Sequence, residues 1–182
     1  MAFEYAVALT GGIATGKSSA TAMLMLYGFK FIDADKVAHA MLDSHTAQIA
    51  QLFGQEYIEQ GKVNRKKLGG LIFGDTQKKK ELENFLHPLI YNEIQTQAIK
   101  LDGFKKPYII DIPLFFETLR YPIAHSIVVY ATKTQQLERL MKREGYTKHE
   151  ALQRIEAQMD IETKKQKATF VIDNSKDVKH LQ

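Results

Sequence analysis

A glycine-rich octet that directly follows a short apolar run limits what this chain can fold into more than any other feature. Gly11, Gly12, Ile13, Ala14, Thr15, Gly16, Lys17 and Ser18 fit the pattern G-x-x-x-x-G-K-[ST] at every fixed position. Glycines at those places let the backbone curl until successive N–H groups converge on one point. Lys17 can then reach the β- and γ-phosphates of a nucleotide, and the Ser18 hydroxyl can ligate Mg2+. From ordinary residue frequencies, a chance match in 182 residues is on the order of 1%. The flanks sharpen the signal. Tyr5 to Thr10 reads as a buried strand, and Ala20, Met23 and Leu24 carry helical spacing up to Gly28, so a helix N-terminus would add its partial positive charge to the site. Ser19 lies close enough to approach an α-phosphate, whereas Thr21 fits an ordinary helix position.

Further short apolar runs follow at Phe29 to Asp33, Tyr108 to Phe116, Ser126 to Ala131 and Phe170 to Asp173. Each is continuously apolar rather than alternating, the pattern of parallel strands covered on both faces by helices. The expected fold is an α/β P-loop NTPase with a doubly wound, five-stranded parallel sheet. Between the second and third strands lie about seventy residues with helical patterns and no clear strand, far more than one crossover helix needs. A helical insertion over about 36–104 is expected, leaving 1–35 and 105–182 as the core of a single domain. Within the insertion, Leu82, Phe85, Leu86, Leu89, Ile90 and Ile94 mark one apolar stripe. Pro88 interrupts that stripe and predicts a kink or a junction between two helices. Downstream, Thr134 to Glu144 and Thr147 to Ile161 read as charged helices separated by Gly145, with Thr147 and Glu150 spaced for a capping box. Val178 to Gln182 end without a helix-stop signal, which reads as a C-terminal helix continuing past Gln182.

A hydrophobic share of 45% supports a core, and no run approaches the roughly 20 apolar residues that cross a bilayer. The chain reads as having no membrane partner. It has no cysteine, which excludes a disulfide framework and a thiolate metal site and agrees with a reducing, cytoplasmic setting. The net charge of +4 suits anionic partners, but Lys78, Lys79 and Lys80 run straight into Glu81 and Glu83, the composition of a solvated helix face rather than a nucleic-acid patch. The six histidines show no metal spacing, so the metal expected is Mg2+ arriving with ATP.

Neither N-K-x-D nor D-x-x-G, the strings by which regulatory GTPases read guanine and the γ-phosphate, occurs in the chain. That leaves a metabolic kinase, or a nucleic-acid-dependent ATPase as the rival class. A kinase must hold an acceptor hydroxyl in line with the γ-phosphate and take its proton. Asp33 and Asp35, in FIDAD, stand at the carboxyl end of the second strand, where ligands sit in such sheets. Either can be the base or a Mg2+ partner, or can cap the helix that follows, Lys36 to Leu42. Asp111 opens DIPLFFE and Glu117 closes it; Asp111 reads equally as a metal carboxylate and as a strand end that shapes the pocket. Arg139 and Arg143 are one helical turn apart, facing phosphates as a kinase lid requires or pairing with Glu138 or Glu144.

Taken in order, TGGIATGKS, FIDAD, FG, VNR, HP, DIPLFFE, QLERLMKR, RIEAQ and VIDN resemble the dephospho-CoA kinases across nearly the whole chain. The resemblance implies transfer of the γ-phosphoryl of ATP to the ribose 3′-hydroxyl of dephospho-CoA, the last step of coenzyme A synthesis. It also implies that the insertion binds CoA and that about 134–165 forms a mobile lid. Carried over residue by residue, Thr10, Lys17, Asp33 and Asp35 surround the reacting phosphate, with Asp35 as the base. Arg139 and Arg143 resemble lid residues, Arg65, His87 and Pro88 parts of the acceptor site, and Asn174 a position near the adenine. Ala14-Thr15 depart from the family's common Gly-Ser, and Ala168-Thr169 from its common Ala-Asp before VIDN.

Overall fold

The structure is a computed structural model that describes residues 2–176; the reading of Val178 to Gln182 lies outside the described residues. Two compact units are present, Met1–Ile32 with Ala98–Gln182 and, between them in sequence, Asp33–Gln97.

The first unit is built on a five-stranded sheet. Its strands are β1 (Ala6–Gly11), β2 (Phe31–Asp33), β5 (Tyr108–Asp111), β6 (His125–Tyr130) and β7 (Phe170–Asp173), in the order β2-β5-β1-β6-β7. β1 pairs in parallel with β5 and β6, and β6 with β7. The first two strands are therefore not neighbours; β5 stands between them. Continuous apolar sequence is explained by burial from both sides. Leu9, Ile109 and Val129 pack with Ala20 and Leu24 of α1 (Lys17–Leu26) on one face, while Val128 and Tyr130 pack with Ile161 of α9 (Ile161–Lys167) and Phe116 of α6 (Phe115–Thr118) on the other.

Several boundaries differ from the sequence reading. β5 stops at Asp111 instead of running to Phe116, because Pro113 cannot donate to a ladder and the chain turns there into α6. β7 is an edge strand with Phe170 58% and Val171 40% exposed, so its apolar run does not mean cover on both faces. After β6, α7 (Lys133–Glu144) opens with a capping box of Thr132 and Gln135 and closes at Gly145 with φ 72°. The capping box of Thr147 and Glu150 starts α8 (Lys148–Glu156). That helix does not reach Ile161: Asp160 caps a separate α9, accepting from the Glu162 and Thr163 N–H groups at 3.0 and 3.2 Å.

The second unit holds α2 (Ala34–Ser44), α3 (Thr46–Phe53), a single 3₁₀ turn (Gln55–Tyr57), β3 (Ile58–Glu59), β4 (Lys62–Val63), α4 (Arg65–Gly74) and most of α5 (Thr76–Asp102). Its core is Leu42, Ile49, Val63, Leu68 and Leu82, ringed by Phe53, Leu71 and Phe85. Burying a side chain such as Leu68 is worth about 1.5–3 kcal/mol. β3 and β4 form an antiparallel hairpin that the sequence did not announce. Two-residue strands are too short to show alternation, but the turn is specified: Gln60 and Gly61 both take positive φ, 51° and 75°, as the right-handed twist of a tight hairpin demands. α5 runs unbroken through Pro88, so no junction between helices occurs there. The expected stripe is nonetheless its packed side, with Leu82, Ile90 and Ile94 buried and Pro88 on the exposed face.

Candidate functional site

The phosphate-binding loop leaves β1 at Gly11 and enters α1 at Lys17. Two residues in it hold left-handed backbone, Gly16 at φ 89° and Ala14 at φ 59°. Glycine adopts that region freely; alanine does so with strain, so the surrounding contacts must fix it. Those contacts are visible. The Gly12 carbonyl accepts from the Thr15 N–H at 3.3 Å and from the Thr15 hydroxyl at 2.9 Å. The Asn174 amide donates to the Thr15 carbonyl at 2.8 Å. Neighbouring side chains crowd the loop so closely that a Cβ at Gly12 would overlap Gln136 of α7 and one at Gly16 would overlap the Asn174 amide. Gly16 is thus required by its φ and by close approach, whereas at Gly12 the close approach of Gln136 alone disfavours a side chain.

Lys17 bonds to Asp111 at the end of β5. The ammonium is held over the loop by a carboxylate, and both groups are largely sheltered from water, with side-chain exposures of 23% and 12%. A charge-assisted pair in such shelter positions the lysine firmly. Thr10 is fully buried and donates its hydroxyl to the Pro113 carbonyl at 2.9 Å; its role is to join β1 to the turn after β5. Ser18 and Ser19 are exposed in the first turn of α1. Among the described residues no three His, Cys, Asp or Glu side chains cluster to hold a metal.

Arg139 and Arg143 part company. Arg139, on α7, donates to the Thr15 carbonyl at 3.4 Å and to the Asn174 carbonyl at 2.9 Å, so its guanidinium lies against the loop. Arg143 pairs with Glu144 at 2.7 Å on an open surface, with exposures of 60% and 40%. Pairs of that kind contribute about 0–1 kcal/mol. Of the sequence-derived nucleotide residues, then, the structure brings together the loop, Lys17, Arg139 and Asn174, and leaves Arg143 on the solvent side of its helix.

In the second unit, Asp33 ends β2 and caps α2, accepting from the Lys36 N–H at 3.0 Å. Capping thus falls to Asp33. Asp35 lies one residue inside the helix and is exposed. Arg65 is the first residue of α4 and exposed; His87 and Pro88 lie on α5.

Residues beyond those anticipated complete the loop's surroundings. Gln158, between α8 and α9, accepts from the Ile13 N–H at 2.8 Å. Lys164 of α9 is fully buried and donates to the Gly11 carbonyl at 2.9 Å, with its ion-pair partner Glu117 at 2.8 Å. Glu117 also accepts from the Met159 N–H at 3.0 Å. α9 is tied to β6 by the Tyr130 hydroxyl, which donates to Glu162 at 2.6 Å. That hydrogen bond, helped by burial, pushes the phenol up to about 12. The traces of these residues in sequence are RIEAQ, whose last residue is Gln158, and DIPLFFE, whose last is Glu117; neither string shows which groups they meet.

A dephospho-CoA kinase family model matches residues 5–180. The dephospho-CoA kinase of Sulfurimonas denitrificans is 56% identical over all of this chain and 91% of its own length. That of Helicobacter pylori is 45% identical, over all of this chain and 94% of its own. Among solved structures, the dephospho-CoA kinase from Campylobacter jejuni superposes with a TM-score of 0.78 at 35% identity, covering 97% of this chain and 91% of that one.

Proposed function

The chain belongs to the dephospho-CoA kinase family, and from that premise we propose how its residues divide the work of phosphoryl transfer. The protein is an ATP-dependent kinase that moves the γ-phosphoryl group of ATP to the ribose 3′-hydroxyl of dephospho-CoA, giving CoA and ADP. The observation that carries this activity is agreement with the family over residues 5–180. The P-loop alone would stop at a kinase of undefined acceptor.

Phosphoryl transfer needs little covalent chemistry from a protein; it needs position and compensating charge. The backbone amides of Gly11 to Ser18 and the N-terminus of α1 cradle the triphosphate. Lys17 exchanges Asp111 for the transferring phosphoryl group and meets the charge that spreads over its oxygens. Arg139 supplies a second cation from α7, and Asn174, already packed on Gly16, borders the nucleotide. The exposed Ser18 hydroxyl and the Asp111 carboxylate would hold a Mg2+ that arrives with ATP. Such an ion would neutralise charge on the β- and γ-phosphates. Asp35 takes the proton of the 3′-hydroxyl: it is an exposed carboxylate in the first turn of α2, with its side chain not committed to capping. Asp33 is the first acid of that pair and serves as cap. The unit Asp33–Gln97 binds dephospho-CoA, with Arg65, His87 and Pro88 at the acceptor. Within about 134–165, the largely exposed stretch between the anchored Arg139 and Gln158 closes over ATP and excludes water. The cysteine-free composition supports a cytoplasmic setting, and no helix among the described residues is long and apolar enough to cross a membrane.

Radiolabelled ATP offered with a panel of dephospho-CoA, nucleoside monophosphates and simple sugars tests the activity. Label should pass to dephospho-CoA with a kcat/KM far above the rest. Preferred labelling of a monophosphate, or ATP hydrolysis that rises with DNA or RNA and yields no phosphorylated small product, would contradict the assignment.

A further inference from the structure

Two polar side chains bracket the α8–α9 junction and reach the phosphate-binding loop from far along the chain. Gln158 accepts from the Ile13 N–H at 2.8 Å, across 145 residues of sequence. Lys164 donates to the Gly11 carbonyl at 2.9 Å, across 153 residues, and is 0% exposed. Its ammonium also lies 3.5 Å from the Pro113 carbonyl, the one that Thr10 bonds, and 2.8 Å from Glu117. Glu117 in turn receives the Met159 N–H, which follows Gln158 directly. Burying a lysine is costly unless it is paired and hydrogen-bonded; here the ammonium meets the Gly11 carbonyl of the loop, the Pro113 carbonyl of the turn after β5 and the Glu117 carboxylate of α6. The strand ends so fastened are those of β1, which leads through the loop to Lys17, and of β5, which carries its partner Asp111. None of these contacts is needed to pack the sheet, whose faces are covered by apolar side chains.

We propose that Gln158 and Lys164 are positioning residues for phosphoryl transfer, acting through the Ile13 N–H and the Gly11 carbonyl to hold the phosphate-binding loop, without themselves touching substrate. The proposal rests on the kinase reading above and adds the part of the chain that sets the loop's geometry. Reactions governed by position are sensitive to it: a displacement of 1 Å can slow transfer by up to about 10²-fold. A half-buried acceptor on Ile13 and a buried donor on Gly11 are the two points at which such a displacement would begin.

Three variants and one control test this in the full chain. Gln158→Met keeps length and removes the acceptor, and kcat with dephospho-CoA should fall about tenfold while the melting temperature and the KM for dephospho-CoA stay near their starting values. Gln158→Glu restores an acceptor but adds negative charge beside the triphosphate, so kcat should recover while the KM for ATP rises. Lys164→Met alone would strand Glu117 in the interior, so it is combined with Glu117→Gln; the folded pair should lose kcat as Gln158→Met does, whereas Lys167→Met, exposed on the same helix, should not. Hydrogen exchange in the nucleotide-free protein supplies a readout independent of catalysis. Peptides covering Gly11 to Lys17 should exchange faster in Gln158→Met. Unchanged kcat and unchanged loop exchange in Gln158→Met would overturn the proposal, as would a kcat loss that follows melting temperature and is not recovered by Gln158→Glu. Failure of the unmodified protein to phosphorylate dephospho-CoA would defeat the functional reading instead, and the exchange experiment would still decide on the brace.

Discussion

The two units of the chain solve different problems with different materials. Around the phosphate-binding loop, polar groups are tied to one another: Lys17 to Asp111, Arg139 to the Thr15 and Asn174 carbonyls, Ile13 to Gln158, and Lys164 to Gly11 and Glu117. In the unit Asp33–Gln97 the interior is apolar, from Leu42 and Ile49 to Leu68 and Leu82, and the candidate groups Asp35 and Arg65 stand at the surface in first turns of helices. One region is organised to hold charge in place, the other to present a few side chains from a packed scaffold. Substitutions in the first should therefore damage catalysis through position and charge, whereas those in the second should do so only where a side chain meets the acceptor.

Asp35→Asn gives the sharpest test of that second clause. An amide nearly preserves shape but cannot take a proton, so transfer to dephospho-CoA should fall by roughly 10² to 10⁴ with ATP affinity unchanged or tighter. Asp33→Asn should cost less, since it weakens a helix cap that an amide can still serve. Single-turnover kinetics of the two proteins checks the order; the larger loss at Asp33 would move the base to that residue.

Within the first region, Arg139→Ala and Arg143→Ala should differ. Removing a guanidinium that lies against the loop should lower kcat/KM for ATP by about tenfold or more. Arg143, paired with Glu144 in solvent, should change it by no more than about twofold. Steady-state kinetics at fixed ionic strength makes the comparison, and equal losses would mean that α7 turns its second arginine inward during the reaction.

The smallest effect is expected at the start of α8. Hydrogen bonds from Thr147 to Glu150 hold that carboxyl below the usual glutamate range. A depressed folded value means the contribution is present above the unfolded value of about 4.3 and is lost as pH falls through the folded one. Thr147→Ala should return Glu150 toward the ordinary range in an NMR titration and leave turnover at neutral pH nearly unchanged.

What the sequence disclosed follows the range of the interaction concerned. The loop is local: Gly16 needs its positive φ and Lys17 follows it, so eight residues in a row spell the site. Capping of α8 by Thr147 and Glu150 is local too. Five strands were legible because parallel strands are buried from both sides, yet that rule mistook the edge strand β7 for a covered one. The short hairpin at Ile58–Val63 left no alternation to read, and the Asp160 cap that splits α9 from α8 looks in sequence like one more charged residue of a helix. The contacts of Gln158, Lys164 and Glu117 were beyond reach for a different reason. Their partners lie 145, 153 and 42 residues away, and nothing in the spacing of a glutamine and a lysine says which backbone group they will meet. Separation of Arg139 from Arg143 was hidden as well, since shared helical spacing does not fix which of two side chains the neighbouring loop accepts.

The central claim, that the phosphate-binding loop and its lysine perform the chemistry while the rest of the fold holds them, is tested most directly at Lys17. Single-turnover transfer from ATP to dephospho-CoA, measured on Lys17→Ala beside its melting curve, should show a loss of about 10² to 10³ in rate with cooperative unfolding retained. Near-normal transfer by a folded Lys17→Ala protein would contradict the account.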